Sequence, residues 1–333
     1  MTSKRFAFAA ALVCLLVAMI GMMLVAAEVG YRRLNDITIF PTAEFRPKDM
    51  FEQYAYSLFM RSDNNVLYYE PKPGGRYSQY LINEHGFRGP AVSIDKPPTT
   101  TRIVFLGDSI VWGHAVDVDK TLSAQLEARL NDASSGHNVE VLNFGVSGYS
   151  TQQEVELFVK RAMRFEPDFV IVGFCLNDFE KSSVEARPFE RVTLPMTRKS
   201  YMLENFRRVV YHLARDNFDY NIEPDFVLKA IDVKREFQRL DEWVDTRILL
   251  TVFPTLVKFD TYAYAHLHAD ALRSVEGLDY DTLDLLDTFR PYDPDQLKVS
   301  PTDVTHPNAF GISLATEQIA KYFMSLPEPD RYF

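Results

Sequence analysis

The chain has 333 residues, of which 47% are hydrophobic and 25% charged, and a formal net charge of −10. That length suits one large domain with appendages, and the acidic balance argues against nucleic-acid binding, which needs clustered Lys and Arg facing phosphates. The two cysteines are Cys14 and Cys175; with one of them inside an N-terminal apolar run, a disulfide framework is excluded and stability must rest on the core.

Phe6–Ala27 carries no charge and no proline, and Lys4 and Arg5 precede it. A stretch this long spans a bilayer as one helix. It exceeds the usual apolar core of a signal peptide, so residues 1–29 read as an uncleaved signal anchor, although Val25-Ala26-Ala27 offers a small-residue cleavage site. Lys4 and Arg5 are balanced by Arg32 and Arg33, so the positive-inside rule does not orient the segment. Export of the rest of the chain, to the extracytoplasmic side, is expected because a lone apolar segment ahead of a large domain usually acts as an export signal.

Residues 30–100 form an aromatic- and proline-rich lead-in. A short helix is expected at Met50–Met60. An extended run from Leu67 should turn at Gly74-Gly75, and a short strand should follow at Gln79–Ile82. Gly86 and Gly89 suggest tight bends around a buried Phe87. His85 and Arg88 are candidates to reach a substrate, although such residues more often pin a loop. Lys96-Pro97-Pro98 reads as a stiff linker, which places a domain boundary near residue 100.

From Thr101 onward strands and helices alternate. Strands are expected at Ile103–Leu106, Val139–Asn143, Phe169–Phe174, Arg247–Phe253 and Tyr280–Leu286. Helices are expected at Leu122–Asn131, Thr151–Phe165 (amphipathic, with Glu and Lys outward), Val227–Trp243, Thr261–Ser274 and Pro307–Met324. This alternation implies an α/β fold with a five-stranded parallel sheet and helices on both faces. Residues 179–224 interrupt it. They read as a lid-like insertion or as a packing element over the sheet edge, with helical spacing through Leu203, Phe206, Val210 and Leu213.

The chemistry gathers at the strand ends. Arg102–Gly113 runs from an apolar strand into Gly107-Asp108-Ser109, which makes Ser109 a candidate nucleophile at the carboxyl end of a strand, where open α/β sheets bind ligands. Gly145 follows the second strand, and a glycine N–H can approach a ligand closely. Asn177 follows the third strand and carries a side-chain donor. With the Ser109 N–H these make three donors for an oxyanion. Asp303 stands three residues before His306 and can bind its Nδ1, leaving Nε2 to take the serine proton. Pro307 suits the first position of the last helix. Cys175 reads as a small buried hydrophobe. His266 and His268, two apart on a helix, point in different directions and make a poor metal pair. His114 lies close to Ser109 in sequence, either lining the pocket or shaping a loop.

Together these blocks resemble the SGNH hydrolases, also called the GDSL esterase/lipase family, over Thr101–Phe323. The first block stands as Gly107-Asp108-Ser109-Ile110, the second as Asn143-Phe144-Gly145 and the last as Asp303 to His306. The third departs from the family's Gly-x-Asn-Asp, reading Cys175-Leu176-Asn177-Asp178, with Gly173 nearby. The resemblance implies a flavodoxin-like three-layer α/β/α sandwich. It also implies Ser109 as nucleophile, His306 as general base and acid, Asp303 as its orienting partner, an oxyanion hole from Ser109, Gly145 and Asn177, and no metal or organic cofactor. The expected function is a membrane-anchored serine esterase acting on small, acetyl-like esters, on the envelope or on an exported polysaccharide. The rival readings are an O-acyltransferase using the same residues, a lipid esterase, and a non-catalytic glycan-binding protein.

Overall fold

Four largely apolar stretches carry the β-branched and aromatic residues that a strand covered on both faces requires, and a fifth, more polar one, Tyr280–Asp284, lies at the sheet edge. The computed structural model describes residues 2–34, 50–134, 136–179, 202 and 231–327. In chain order its main elements are α1 (Thr2–Leu34), α2 (Met50–Leu58), β1 (Phe59–Arg61), β2 (Tyr69–Pro71), β3 (Arg76–Tyr77), β4 (Tyr80–Leu81), β5 (Thr100–Gly107), α3 (Ser109–Trp112), α4 (Leu122–Ala133), β6 (Asn138–Gly145), α5 (Thr151–Leu157), β7 (Phe169–Phe174), α6 (Val233–Asp241), β8 (Arg247–Val252), α7 (Ala265–Ser274), β9 (Tyr280–Asp284), α8 (Leu286–Phe289) and α9 (Ala309–Ser325). The insertion expected at 179–224 lies outside the described residues, apart from Phe179 and Met202.

The chain divides into two compact units, one containing α1 and the other formed by Pro47–Ala186 with Pro224–Phe333. In the first, Val13–Leu34 is long and apolar enough to cross a bilayer once, with only 6% of its most apolar window buried. Anchors and signal sequences share that property. Near its end Arg32 and Glu28, both buried, pair one turn apart at 2.8 Å.

In the second unit β6-β5-β7-β8-β9 form one sheet, all neighbours parallel. Numbered by sequence within the sheet this is the order 2-1-3-4-5 of flavodoxin-like folds, whose switch point lies between the first and third strands. Alternation along the strands divides the core. Ile103, Phe105, Val139, Val141, Phe169, Ile171 and Leu249 share one cluster with Leu122, Leu126 and Leu130 of α4 and Ile312, Ala315, Ile319 and Phe323 of α9. On the other face α5 packs on α6, and Phe237 of α6 meets Phe174 at 6.1 Å between ring centroids. Helices thus cover both faces and make three layers.

Residues of the lead-in from α2 onward belong to this unit. Phe59, Leu67, Tyr69 and Phe87 are buried, and Tyr69 Oη donates to the Ser147 carbonyl at 2.6 Å. His85 Nε2 bonds the Val92 carbonyl at 2.8 Å. Arg88 is 1% exposed and donates to the carbonyls of Trp112, Gly113 and Val116 at 2.8, 2.6 and 2.6 Å. Both residues pin loops.

Three expectations are corrected. The amphipathic helix at Thr151–Phe165 stays α-helical only to Leu157, then widens into a π turn and closes in a 3₁₀ turn. Its Glu154 is buried, 1% exposed, although glutamate was expected on the outer face. The last helix starts at Ala309, because Asn308 caps it by accepting from the Phe310 and Gly311 N–H groups at 3.0 and 3.1 Å. Pro307 therefore lies ahead of the cap, where it bridges to Lys298.

Candidate active site

Three glycines stand side by side at the carboxyl ends of neighbouring strands: Gly107 pairs with both Gly145 and Gly173. They form a shelf without side chains, and the one-turn helix α3 lies on it. A Cβ at Gly173 would stand 2.5 Å from Val111 Cγ2, one at Gly107 would stand 2.9 Å from Val111 Cβ, and one at Gly145 would stand 2.6 Å from the Val111 carbonyl carbon. Asp108 caps α3 by accepting the Ile110 N–H at 2.8 Å. Gly113 ends it with φ +82°, and Arg88 takes the carbonyls left over at that end. The helix is therefore held at both ends, with Ser109 as its first residue at the switch point of the sheet.

The loop after α8 brings the partners. Asp303 Oδ1 accepts the N–H groups of Thr305 and His306, each at 2.9 Å. Its Oδ2 meets His306 Nδ1 at 2.8 Å. His306 Nε2 lies 2.8 Å from Ser109 Oγ. The structure thus joins Ser109, His306 and Asp303 in one hydrogen-bonded line across 197 residues of sequence. Burial alone would raise the Asp303 carboxyl, but the hydrogen bonds from His306 and Thr305 outweigh it and hold the group below its ordinary value. A carboxylate on Nδ1 assigns the ring proton there and leaves the Nε2 lone pair for the serine hydroxyl.

The same loop is braced from β8 and β9. The Leu256 N–H donates to the Val304 carbonyl at 2.7 Å. Next to Leu256, the Thr255 N–H donates to Tyr262 Oη at 2.9 Å. Tyr262 in turn bonds His268 Nε2 at 3.0 Å, and His268 Nδ1 bonds Asp284 at 2.8 Å. His268 is therefore a satisfied core histidine, while His266 is exposed.

Asn177 is exposed, and its Nδ2 donates to Asp108 Oδ2 at 3.1 Å. Asp108 Oδ2 also lies 3.1 Å from Ser109 Oγ and 3.1 Å from Cys175 Sγ. Gly145 differs from expectation. Its N–H is donated to Asn143 Oδ1 at 3.0 Å, while Asn143 Nδ2 holds the Val111 carbonyl at 2.9 Å. That amide is engaged within the protein, and the requirement for glycine at 145 is steric. Gly148, further along the same strand end, is the glycine with left-handed backbone, φ +79°.

Two features were weakly signalled in the sequence. His114, one residue past Gly113, packs on His306 with ring centroids 4.2 Å apart and ring planes tilted by 32°. Burial, reinforced by the neighbouring His306, pushes its imidazole pKa down. Beneath the serine lie Asp108, Cys175, Asp178 and Glu154, all buried. Among the described residues neither oxygen of Glu154 has a hydrogen-bond partner, nor has Asp178 Oδ1. Burial pushes both carboxyls well up, Asp108 raises both further, and Glu154 also raises Asp178. Burial likewise pushes the Cys175 thiol up. It is a free cysteine, as is Cys14.

Residues 105–312 match the model of the GDSL-like Lipase/Acylhydrolase family. The chain belongs to the GDSL-like lipase/acylhydrolase family. That family match supports an ester-bond hydrolase. No curated protein matches the chain. Among solved structures, a lipase/acylhydrolase from Enterococcus faecalis is similar at 16% identity and TM-score 0.42, over 67% of this chain and 95% of that one. A two-domain esterase active on acetylated mannans is similar at 16% identity and TM-score 0.43, over 70% of this chain and 50% of that one. The chain thus spans half the length of that two-domain relative. An acetylxylan esterase from Geobacillus stearothermophilus, in a catalytic mutant form, is similar at 14% identity and TM-score 0.44, over 66% of this chain and 93% of that one.

Proposed function

We propose that this hydrolase works as a serine esterase in which Ser109 attacks the ester carbonyl, His306 takes and returns its proton, and Asp303 fixes the imidazole and balances its charge. The observation that carries the reading is the Asp303–His306–Ser109 line, with both links at 2.8 Å. The proposed oxyanion donors are the Ser109 N–H, which as a first helical residue lacks an intrahelical acceptor, and the Asn177 side chain once it turns from Asp108 to substrate. Gly145 is left out of this set because its N–H is engaged by Asn143. The acyl-enzyme is then released by water.

The substrate proposed is a small acyl ester, acetyl-like, carried on a carbohydrate. Ser109 is only 7% exposed, which supports a compact acyl group at the reacting end. We further propose that α1 tethers the enzyme to a membrane with its catalytic unit on the extracytoplasmic side. No metal or organic cofactor takes part in the mechanism proposed.

Labelling with a fluorophosphonate followed by peptide mapping tests the core of this reading. Modification of Ser109, and its loss in Ser109→Ala together with hydrolysis of short-chain esters, is expected. Labelling at another residue, or unchanged hydrolysis in Ser109→Ala, overturns it. Alkaline phosphatase fused after Phe333 tests the sidedness, with activity expected.

A further inference from the structure

We propose that His114, Asp303 and His306 form a binding site for one zinc-type divalent cation, and that the ion, when bound, switches the esterase off. One ligand atom from each of the three residues lies within 4.8 Å of the other two. They arrive from opposite walls. Asp303 and His306 come from the loop ahead of α9. His114 comes from the end of α3, where its N–H is tied to the Ser109 carbonyl at 3.0 Å.

His114 is what turns a hydrolytic dyad into a ligand set. The ring is half-buried, it faces His306 at 4.2 Å, and among the described residues neither of its nitrogens has a hydrogen-bond partner. Imidazole binds metal in its neutral form and a carboxyl group in its ionised form. Two nitrogens and one oxygen suit zinc, with bonds of about 2.0–2.2 Å and ligand atoms roughly 3.3 Å apart. Reaching that spacing from 4.8 Å takes movements of at most about 1.5 Å. Three protein ligands leave the fourth position to water. The other close group, Asp108, Cys175 and Asp178, is sealed from solvent, and its thiol is pushed toward the protonated form, so it is a poor competitor.

Inhibition follows from the proton count on His306. The neutral ring has one N–H and one lone pair. A metal on Nε2 occupies the lone pair that the serine proton needs. A metal on Nδ1 displaces the proton to Nε2, where the ring donates to Ser109 Oγ instead of accepting from it. In both cases the base is lost without net redox change, and a chelator restores it. This inhibitory half rests on the proposed role of His306, whereas binding does not.

The experiment separates the two. Full-length enzyme in detergent, stripped with EDTA, is titrated with zinc chloride by calorimetry as wild type, His114→Ala, His114→Gln and Ser109→Ala, and thermal melting confirms that each is folded. One ion per chain is expected for wild type and Ser109→Ala, with affinity lower by more than about a hundredfold in both His114 variants, since even outer-shell partners cost roughly 10–100-fold. Equal affinity in wild type and both folded His114 variants, or no binding in wild type, overturns the site. In parallel, zinc is expected to inhibit ester turnover of wild type reversibly, with the midpoint shifted at least tenfold in His114→Gln. Stimulation, or unchanged turnover at saturating zinc, overturns the switch. A wild type without turnover in EDTA would instead refute the esterase reading, and the calorimetry would still decide the site.

Discussion

Replacing Gly145 by alanine distinguishes two roles for that residue. Alanine keeps the backbone N–H, so a glycine needed only as an amide donor should tolerate the change. In the structure the new Cβ lands on the Trp112 amide and 2.6 Å from the Val111 carbonyl carbon, backbone atoms that cannot rotate away. Ordinary contact begins at 3.4 Å, so α3 must lift by at least about 0.8 Å to clear the carbonyl carbon, and further to clear the nearer Trp112 amide, carrying Ser109 with it. The 2.8 Å bond from Ser109 to His306 would then open to roughly 3.6 Å, beyond a hydrogen bond. A displacement near 1 Å in a catalytic group costs about 10²-fold in rate, and overpacking costs roughly 1–3 kcal/mol of stability. Turnover of a chromogenic acetyl ester should fall about a hundredfold, the rate of fluorophosphonate labelling should fall with it, and the melting temperature should drop by several degrees. If Gly145→Ala retains kcat within about twofold and melts unchanged, the shelf argument is wrong.

Asp303→Asn should leave the loop in place but present the wrong tautomer of His306. Turnover should fall by about 10⁴ with little change in melting, checked by steady-state kinetics and calorimetry. Arg88→Ala removes two bonds to the α3 end and a third to the Val116 carbonyl, and leaves those carbonyls buried. About 3 kcal/mol or more should be lost, a fall of roughly 6–12 °C in a thermal scan, and Arg88→Lys should not rescue it because an ammonium lacks the guanidinium fork. Glu154 and Asp178 have folded pKa values above their unfolded ones. The native state therefore holds the extra protons, and stability is lost as pH rises above the ordinary carboxyl range. Glu154→Gln should raise the melting temperature at pH 8 and change it little at pH 4; an equal fall at both would refute the assignment.

Much of this hydrolase is legible from residue order alone. The apolar runs at Ile103–Leu106 and Phe169–Phe174 identify buried strands, because a strand covered on both faces has no polar side to show. Their alternation with amphipathic helices implies the layers, since each element must bury its apolar face against another. Asp303 and His306 are one turn apart, so their pairing is a local matter of spacing. Their meeting with Ser109 is implied in the sequence only by the family resemblance and takes its geometry from the structure, which alone reveals that Gly107, Gly145 and Gly173 stand in register as a seat for α3. Parallel register and the meeting of distant loops depend on how the whole sheet closes, and no local pattern encodes that. For the same reason a glycine chosen as an amide donor meets the backbone of α3, Arg88 is a clamp on that helix, Glu154 lies inside, and His114 rests on His306. Propensity and periodicity are properties of a window of residues, whereas the identity of a side chain's neighbours is a property of the folded chain.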